Sequence, residues 1–255
     1  MVAVDHPSRG GLVMTRPHFA LRLLVGFVLA AVAWSGMPAA TTFASFGRVP
    51  ECTFDNILTP RHAYADWART MLDTALKVPR RYVPPNLVSV DEAGVAGDGR
   101  VRARVIDALR ALRVAAREAG NPIEVSSAYR SYERQEVLWQ KSIDEFGWRV
   151  TRRTLARPGH SEHQLGTAID VKAKGGSSPW LYEDWAHTRT GKWMKANAWK
   201  FGFVMSYPKG ERVFSCYSYE PWHYRYFGRR TAALIHESGL TSRQWLWRHG
   251  FGVVE

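Results

Sequence analysis

Several features that define common protein classes are missing from this 255-residue chain. It contains no internal repeat, which argues against solenoid and propeller folds. No nucleic-acid-binding motif is visible, although the formal net charge is +12. The basic residues are scattered rather than clustered. The charge is therefore compatible with an acidic polymer as partner or with a role in solubility alone.

Long apolar runs are also scarce, because residues 23–34 form the only one, which excludes a multispan membrane protein. Twelve residues are short for a membrane span but typical of the core of a signal peptide. Arg16 and Arg22 precede the run, and small residues follow it as far as Ala44. We expect a signal peptide over residues 1–44. An uncleaved membrane anchor, with the apolar run extended to Ala40, is the alternative. Either segment places the rest of the chain outside the cytoplasm.

The chain has only two cysteines, Cys52 and Cys216. Exported proteins meet oxidising conditions, and an even count permits one disulfide bridge. We expect this bridge, and two independent buried thiols are the alternative.

The helical His-Glu-x-x-His zinc motif is absent, but two other runs hold metal-ligating residues. The first run spans residues 161–170 and contains His163 and Asp170, and the second is Glu220-Pro-Trp-His223. Two imidazole nitrogens and one carboxylate oxygen suit a catalytic zinc ion with an open fourth position. The carboxylate of Glu220 is then free to accept a proton from water.

The spacing within these runs predicts irregular backbone at the site. His163 and Asp170 are seven residues apart and would point to opposite faces of a regular strand. Gly166 offers a bend between them, and Pro221 argues against a helix around Glu220. We therefore expect a strand, bulge or turn here. His160 lies three residues before His163 and is an alternative ligand.

A third run, Ser126-Ser-Ala-Tyr-Arg130-Ser-Tyr-Glu-Arg-Gln135, completes a recognisable set. The order Ser-x-Tyr-Arg-Ser, Ser-x-His-x-x-Gly-x-Ala-x-Asp and Glu-Pro-Trp-His resembles the VanY-type D-alanyl-D-alanine carboxypeptidases of the LAS group of zinc peptidases. The resemblance runs from about residue 72 to 246. Ala128 stands where the family often has glycine, and His160 where an aromatic residue is common.

The resemblance implies a role for each matching residue. His163, Asp170 and His223 match the metal ligands, and Glu220 matches the catalytic acid and base. Arg130 matches the arginine that contacts the substrate and the developing oxyanion.

Two further positions, Ser161 and Gln135, match residues that line the substrate site. The alternatives are a surface ion pair for Arg130 and a simple turn cap for Ser161.

The implied activity is removal of the terminal D-alanine from the stem peptides of bacterial peptidoglycan. An L,D-carboxypeptidase, a cell-wall endopeptidase and a non-catalytic wall-binding module are the alternatives. The partner would be the stem peptide and not a nucleic acid, and we expect a monomer.

The pattern predicts an α+β fold of the LAS or Hedgehog-like kind, with a small, mainly antiparallel sheet holding the zinc. Residues 45–71 would form an N-terminal extension and residues 72–255 the catalytic domain. We expect helices over 67–77, 100–119, 132–146, 191–200 and 230–238. We expect strands over 123–128, 167–173, 203–205 and 222–226.

Overall fold

The computed structural model describes residues 48–97 and 99–250. The strands are β1 (Ile57–Leu58), β2 (Leu76–Lys77), β3 (Leu87–Ser89), β4 (Arg100–Arg102), β5 (Ile123–Ser127), β6 (Ala168–Ala173), β7 (Phe203–Met205) and β8 (His223–Tyr226). The α-helices are α1 (Ile106–Glu118), α2 (Tyr132–Phe146), α3 (Trp148–Thr154), α4 (Arg189–Asn197), α5 (Arg212–Ser215), α6 (Arg229–Ser238) and α7 (Ser242–Gly250). The predicted α+β class is confirmed.

The largest sheet has the strand order β5-β6-β8-β7, and all of its neighbouring strands are antiparallel. Strands β3 and β4 form a separate antiparallel pair, and β1 pairs with β2 in parallel. The predicted strands at 123–128, 167–173, 203–205 and 222–226 all belong to the largest sheet. The sheet therefore joins segments that lie far apart in the chain.

One face of this sheet packs against α1 and α4 to form the main hydrophobic core. Helix α1 buries Leu109, Leu112 and Ala116, which recur at the three- and four-residue spacing of one helix face. The sheet contributes Ile169 and Tyr224, both almost fully buried. Burial of side chains of this size stabilises a fold by about 1.5–3 kcal/mol each.

Helix α2 occupies the predicted range, and both of its ends have a local cause. The Ser131 side chain accepts a hydrogen bond from the backbone N–H of Arg134, which caps the first turn. Gly147 ends the helix with φ +76°, a conformation that glycine adopts without steric cost. Serine and glycine at these two points therefore set the length of the helix that follows Arg130.

The helix predicted over residues 67–77 is wrong. The side chain of Asp73 accepts hydrogen bonds from the backbone N–H groups of Ala75 and Leu76, at 2.8 and 2.7 Å. Such local bonds compete with a helix for the backbone donors. Arg243 also donates to Asp73 from the C-terminal helix α7 at 2.6 Å, so a distant contact holds this turn.

The helix predicted over residues 100–119 begins at Ile106, six residues after its predicted start. Residues 100–102 instead form β4, in which Val101 pairs with Val88 of β3. Arg102 is buried in this strand and donates to the carbonyl of Leu165 and the hydroxyl of Tyr82. Tertiary partners for Val101 and Arg102 therefore override the helical pattern at its start.

The two remaining predicted helices are present with shifted ends. The structure places them at α4, which a short 3₁₀ turn continues to Phe201, and at α6. Helices α3, α5 and α7 were not predicted. They are short, at seven, four and nine residues, so each offers few turns over which an apolar period can be read.

The described part of the predicted N-terminal extension is attached to the predicted catalytic domain at two places. Cys52 and Cys216 form a disulfide with Cα atoms 5.3 Å apart, which confirms the expected bridge. Strand β1 adds a second attachment through β2. None of the helices within 48–97 and 99–250 is both long and apolar enough to cross a bilayer. The apolar run at 23–34 lies outside the described residues.

Removing the disulfide should lower stability. The bridge joins residues 164 positions apart and restricts the unfolded chain. The double variant Cys52→Ser, Cys216→Ser should lose about 2–5 kcal/mol of unfolding free energy, measured by guanidinium denaturation. Wild-type protein with its bridge reduced is the matched control and should lose the same amount. Equal unfolding free energies with and without the bridge would contradict this prediction.

Candidate active site

The pairing of β6 with β8 brings two of the predicted ligands together. Asp170 of β6 lies directly opposite His223 of β8 in the antiparallel register. Directly opposite residues point to the same face of a sheet, so their side chains meet. The carboxylate Oδ1 of Asp170 lies 3.0 Å from Nδ1 of His223.

His163 reaches the same point from a 3₁₀ turn over Glu162–Leu165. Gly166 closes the turn in the left-handed conformation, with φ +69°, and the chain then enters β6. Nε2 of His163 lies 3.2 Å from Oδ2 of Asp170. The predicted bend at Gly166 is therefore present, and it brings the His163 and Asp170 side chains to one side.

The ligand atoms of His163, Asp170 and His223 all lie within 4.8 Å of one another, and the three side chains are buried. The two imidazole rings are 4.9 Å apart at an interplanar angle of 71°. Nε2 of His163 is buried and makes no hydrogen bond to any described residue. A buried nitrogen without a partner is costly, and a metal ion would satisfy it.

The other ring nitrogens have acceptors, which indicates which nitrogens can bind a metal. Nδ1 of His163 lies 2.5 Å from the carbonyl oxygen of Ala128 and must donate to it, which leaves Nε2 with its lone pair. Nε2 of His223 lies 3.0 Å from a carboxylate oxygen of Glu162 and donates there, which leaves Nδ1. Metal-bound histidines commonly show such a partner on the second nitrogen. The donor set therefore fits zinc.

Charge and burial separate the pKa values of the two histidines. Burial, helped by the charge of Arg130, lowers the pKa of His163 to about 4, so this ring is neutral at pH 7. Burial opposes the charged form of His223. However, hydrogen bonds to Asp170 and Glu162 outweigh burial and raise its pKa to about 10. A metal at Nδ1 replaces the proton on that side and leaves the Nε2 proton facing Glu162.

Glu220 lies beside the metal cluster without joining it. Its Oε2 is 4.0 Å from Nδ1 of His223, and its carboxylate makes no hydrogen bond to a described side chain. Burial and the charge of Asp170 raise the pKa of Glu220 to about 7, against the opposing effect of His223 and Arg130. A carboxylate with such a pKa is suited to proton transfer near neutral pH, and a cation bound nearby would lower the value.

Arg130 comes three residues after the end of β5, and it is half-buried. Burial lowers the pKa of its guanidinium, and the nearby carboxylates of Asp170 and Glu220 oppose that shift. Its Nε makes no hydrogen bond within the described part of the chain. The guanidinium is therefore close to the cluster with a donor available for a ligand.

Arg130, Asp170 and Glu220 line an open cleft of about 710 Å³. The cleft is lined by the end of β5, by one face of α2 with Arg134, Leu138, Lys141 and Glu145, and by Asp170, Trp180, Glu220 and Trp222. The four α2 positions follow helical spacing, so α2 forms one wall. A cleft of this size can hold a small molecule or a short peptide.

The other predicted site residues fall in two different places. Ser161 is buried beside His163, Arg130 and Glu220, and its side chain does not cap the turn that it precedes. Gln135 is also buried, and its amide donates to the carbonyl of Ala156 at 2.6 Å. Gln135 is not among the residues that line the cleft.

His160, the alternative ligand, is not part of the cluster. Its Nδ1 lies 2.8 Å from the carbonyl oxygen of Asp73, and its Nε2 lies 3.2 Å from Oδ1 of Asn56. Both ring nitrogens are therefore occupied by the N-terminal segment.

The sequence analysis did not identify Glu162, which contacts His223 from outside the cluster, or the partners of Glu162, Ser206 and Arg225. Glu162 lies within the first motif but had no assigned role. A charged residue next to a candidate ligand was the only available signal, because its partners lie more than 40 residues away.

A buried pair of histidines with a carboxylate, beside a further glutamate that lines an open cleft, is typical of metallopeptidases. Comparison with known families agrees with this class. Residues 98–229, about half of the chain, match the family model described as VanY, D-alanyl-D-alanine carboxypeptidase. The chain belongs to this family.

Relatives show the extent of the similarity. The protein YodJ of Bacillus subtilis (strain 168), which is named as a carboxypeptidase, is 35% identical over 173 residues. The match covers 66% of this chain and 63% of YodJ, so it spans less than two thirds of that relative.

Solved structures share the fold. The LdcB LD-carboxypeptidase superposes with a TM-score of 0.64 at 29% identity, covering 77% of this chain and 98% of LdcB. A mutant of the vancomycin resistance D,D-pentapeptidase VanY, in complex with Zn(II), gives 0.60 at 29% identity, covering 71% of this chain and 99% of that one. The predicted LAS-type fold is confirmed.

Replacing a predicted ligand should abolish metal binding. His163→Ala removes one of the three side chains whose ligand atoms lie together, so dialysed protein should retain little zinc by elemental analysis. Wild type should hold one zinc per chain. His160→Ala is the matched control and should keep its zinc, since both of its ring nitrogens are used elsewhere. Full zinc occupancy in His163→Ala would refute the ligand assignment.

Proposed function

We propose that this chain is a zinc-dependent D,D-carboxypeptidase that removes the terminal D-alanine of peptidoglycan stem peptides. The observation that carries the proposal is Glu220, a half-buried carboxylate with no hydrogen-bond partner in the described structure, next to a three-ligand cluster. A purely structural zinc site needs no such free carboxylate, so this feature disfavours a non-catalytic binding module. The relative crystallised with Zn(II) supports the choice of metal.

His163, Asp170 and His223 would hold the zinc. When bound, the ion would polarise the scissile carbonyl and lower the pKa of a water ligand. Glu220 accepts the proton of the attacking water and later passes it to the leaving amine. Arg130 offers its paired N–H groups to the terminal carboxylate of the substrate or to the oxyanion. Ser161 and Gln135 are proposed to support the substrate side of the site.

A second candidate is an L,D-carboxypeptidase, because the LdcB LD-carboxypeptidase gives the higher of the two TM-scores. A cell-wall endopeptidase has the same site requirements. These activities differ only in which bond lies at the cluster, so the substrate has to decide between them.

We also propose that the protein is exported, with residues 1–44 as a signal peptide or anchor, 45–71 as an extension and 72–255 as the catalytic domain. The Cys52–Cys216 disulfide supports an oxidising compartment. The net charge of +12 favours contact with an acidic cell wall. The expected state is a monomer whose partner is the stem peptide.

Defined substrates test the proposed activity. Mass spectrometry of purified protein with stem pentapeptides and tetrapeptides should show loss of one D-alanine from the pentapeptide only. Cleavage confined to the tetrapeptide would establish the L,D activity instead. Internal cleavage of cross-linked stems without trimming of either peptide would establish the endopeptidase.

Removing the carboxylate of Glu220 should separate metal binding from turnover. Glu220→Gln should keep its zinc and lose roughly 10²–10⁴-fold in kcat, the usual contribution of general acid–base catalysis. Glu145→Gln, a change in another carboxylate of the same cleft, is the matched control and should stay near wild type. Near-normal turnover of Glu220→Gln would assign the proton transfer to another group.

The role of Arg130 can be tested with one stem peptide in its acid and amide forms. If Arg130 binds the terminal carboxylate through two N–H groups, wild type should cleave only the acid form of the peptide. Arg130→Lys should then fail as well, because lysine keeps the charge but loses the planar fork. Arg134→Lys, a change in another arginine that lines the same cleft, is the control and should cleave the acid form like wild type. Equal wild-type rates on the acid and amide forms would refute the assignment as a carboxypeptidase. The assignment as a zinc hydrolase would still stand.

A further inference from the structure

Glu162 is a buried carboxylate that contacts the cluster from outside it. Its Oε2 accepts a hydrogen bond from Oγ of Ser206 at 2.6 Å and lies 3.0 Å from Nε2 of His223. Its Oε1 accepts from Nη1 of Arg225 at 2.9 Å. The glutamate is 4% exposed. A buried charge needs such partners, and an ion pair with Arg225 would by itself be an ordinary structural feature.

The strand geometry explains why one carboxylate meets both residues. His223 and Arg225 are two positions apart in β8, so their side chains lie on the same face, whereas Tyr224 between them is part of the hydrophobic core. Nη2 of Arg225 donates to the backbone carbonyls of Trp67 and Thr70, at 2.8 and 2.7 Å. The guanidinium is thus held in place, and it fixes the orientation of the carboxylate.

The contact with His223 determines which ring nitrogen is free. An ionised carboxylate only accepts hydrogen bonds, so Nε2 must carry a proton where it faces Glu162. Nδ1, which faces Asp170 and the cluster, is then the nitrogen that can exchange its proton for a metal. The second nitrogen of a histidine ligand generally sets its tautomer in this way.

We propose that Glu162 is a positioning residue of the metal centre, which holds the ring of His223 with Nδ1 directed at the metal. The proposal rests on the metal site of the proposed function but not on its substrate. Glu162 itself contacts neither the metal position nor the substrate, and it acts through His223.

Glu162→Gln makes the proposal testable because an amide has one acceptor and one donor end. If the amide oxygen faces Arg225, the NH₂ group faces Nε2 of His223, and the ring can accept only by moving its proton to Nδ1. A metal at Nδ1 excludes that tautomer, so the N–H group at Nε2 of His223 then faces the NH₂ group of the amide, and both are donors. If the amide is reversed, its NH₂ group opposes Arg225 instead. The metal-bound state therefore contains a buried donor without an acceptor, which the metal-free state avoids.

Zinc affinity, measured at fixed pH by competition with a chromophoric chelator, should be about 10–100-fold weaker in Glu162→Gln than in wild type. Ser206→Ala removes one hydrogen bond from Glu162 but keeps the carboxylate facing His223, so its affinity should stay close to wild type. Asp73→Asn is the matched control for losing a buried carboxylate. It breaks the ion pair with Arg243 away from the cluster, and should lower stability without changing zinc affinity.

Nitrogen-15 NMR of histidine-labelled, zinc-loaded wild type gives a second readout that needs no variant. His223 should carry its proton on Nε2 and His163 on Nδ1. A proton on Nδ1 of His223 would overturn the proposal even if Glu162→Gln did not fold. Wild-type zinc affinity in Glu162→Gln would also overturn the proposal. An equal loss of zinc affinity in Ser206→Ala would overturn it as well. Failure of the wild type to cleave any stem peptide would refute the proposed function. It would not affect the assignment of Glu162 as a positioning residue.

Discussion

The antiparallel pairing of β6 with β8 is the constraint on which the site depends. It sets Asp170 opposite His223, and a shift of one residue in either strand would turn the ligand of that strand toward the core that α1 and α4 cover. The same register places Ile169 opposite Tyr224, and both of these residues fill that core. Core packing and site geometry are therefore set together, since alternate residues of the same two strands serve each purpose.

Three carboxylates lie close to the two cluster histidines; Asp170 and Glu162 are buried, whereas Glu220 is half-buried. Asp170 and Glu162 receive hydrogen bonds or cationic neighbours that outweigh burial, and their pKa values are lowered. For Glu220 the pKa is raised, because desolvation outweighs the effect of its cationic neighbours, which donate no hydrogen bond to it. Environments that push the pKa values of neighbouring acids apart are how a site divides chemical roles among identical groups. Glu220 is the carboxylate left free to exchange a proton.

The segment before the family-matched region is part of the support for this site. Residues 67 and 70 supply the carbonyls that hold Arg225, and Asp73 and Asn56 occupy both nitrogens of His160. The Cys52–Cys216 disulfide ties the same segment to the loop before Glu220. The extension therefore stabilises the back of the metal cluster while leaving the cleft open.

The sequence by itself determined the kind of donor set, with His160 still open as an alternative ligand, as well as the irregular backbone around Gly166 and Pro221 and the range of α2. These follow from local rules on ligand chemistry, glycine and proline conformation, and helix capping. Tertiary structure decided what local rules cannot reach. It turned residues 67–77 into a turn held by Arg243, drew Val101 and Arg102 into a strand, and excluded His160 from the cluster. It also gave Glu162 its role, because the tautomer of His223 depends on partners that only the folded chain brings within hydrogen-bond distance.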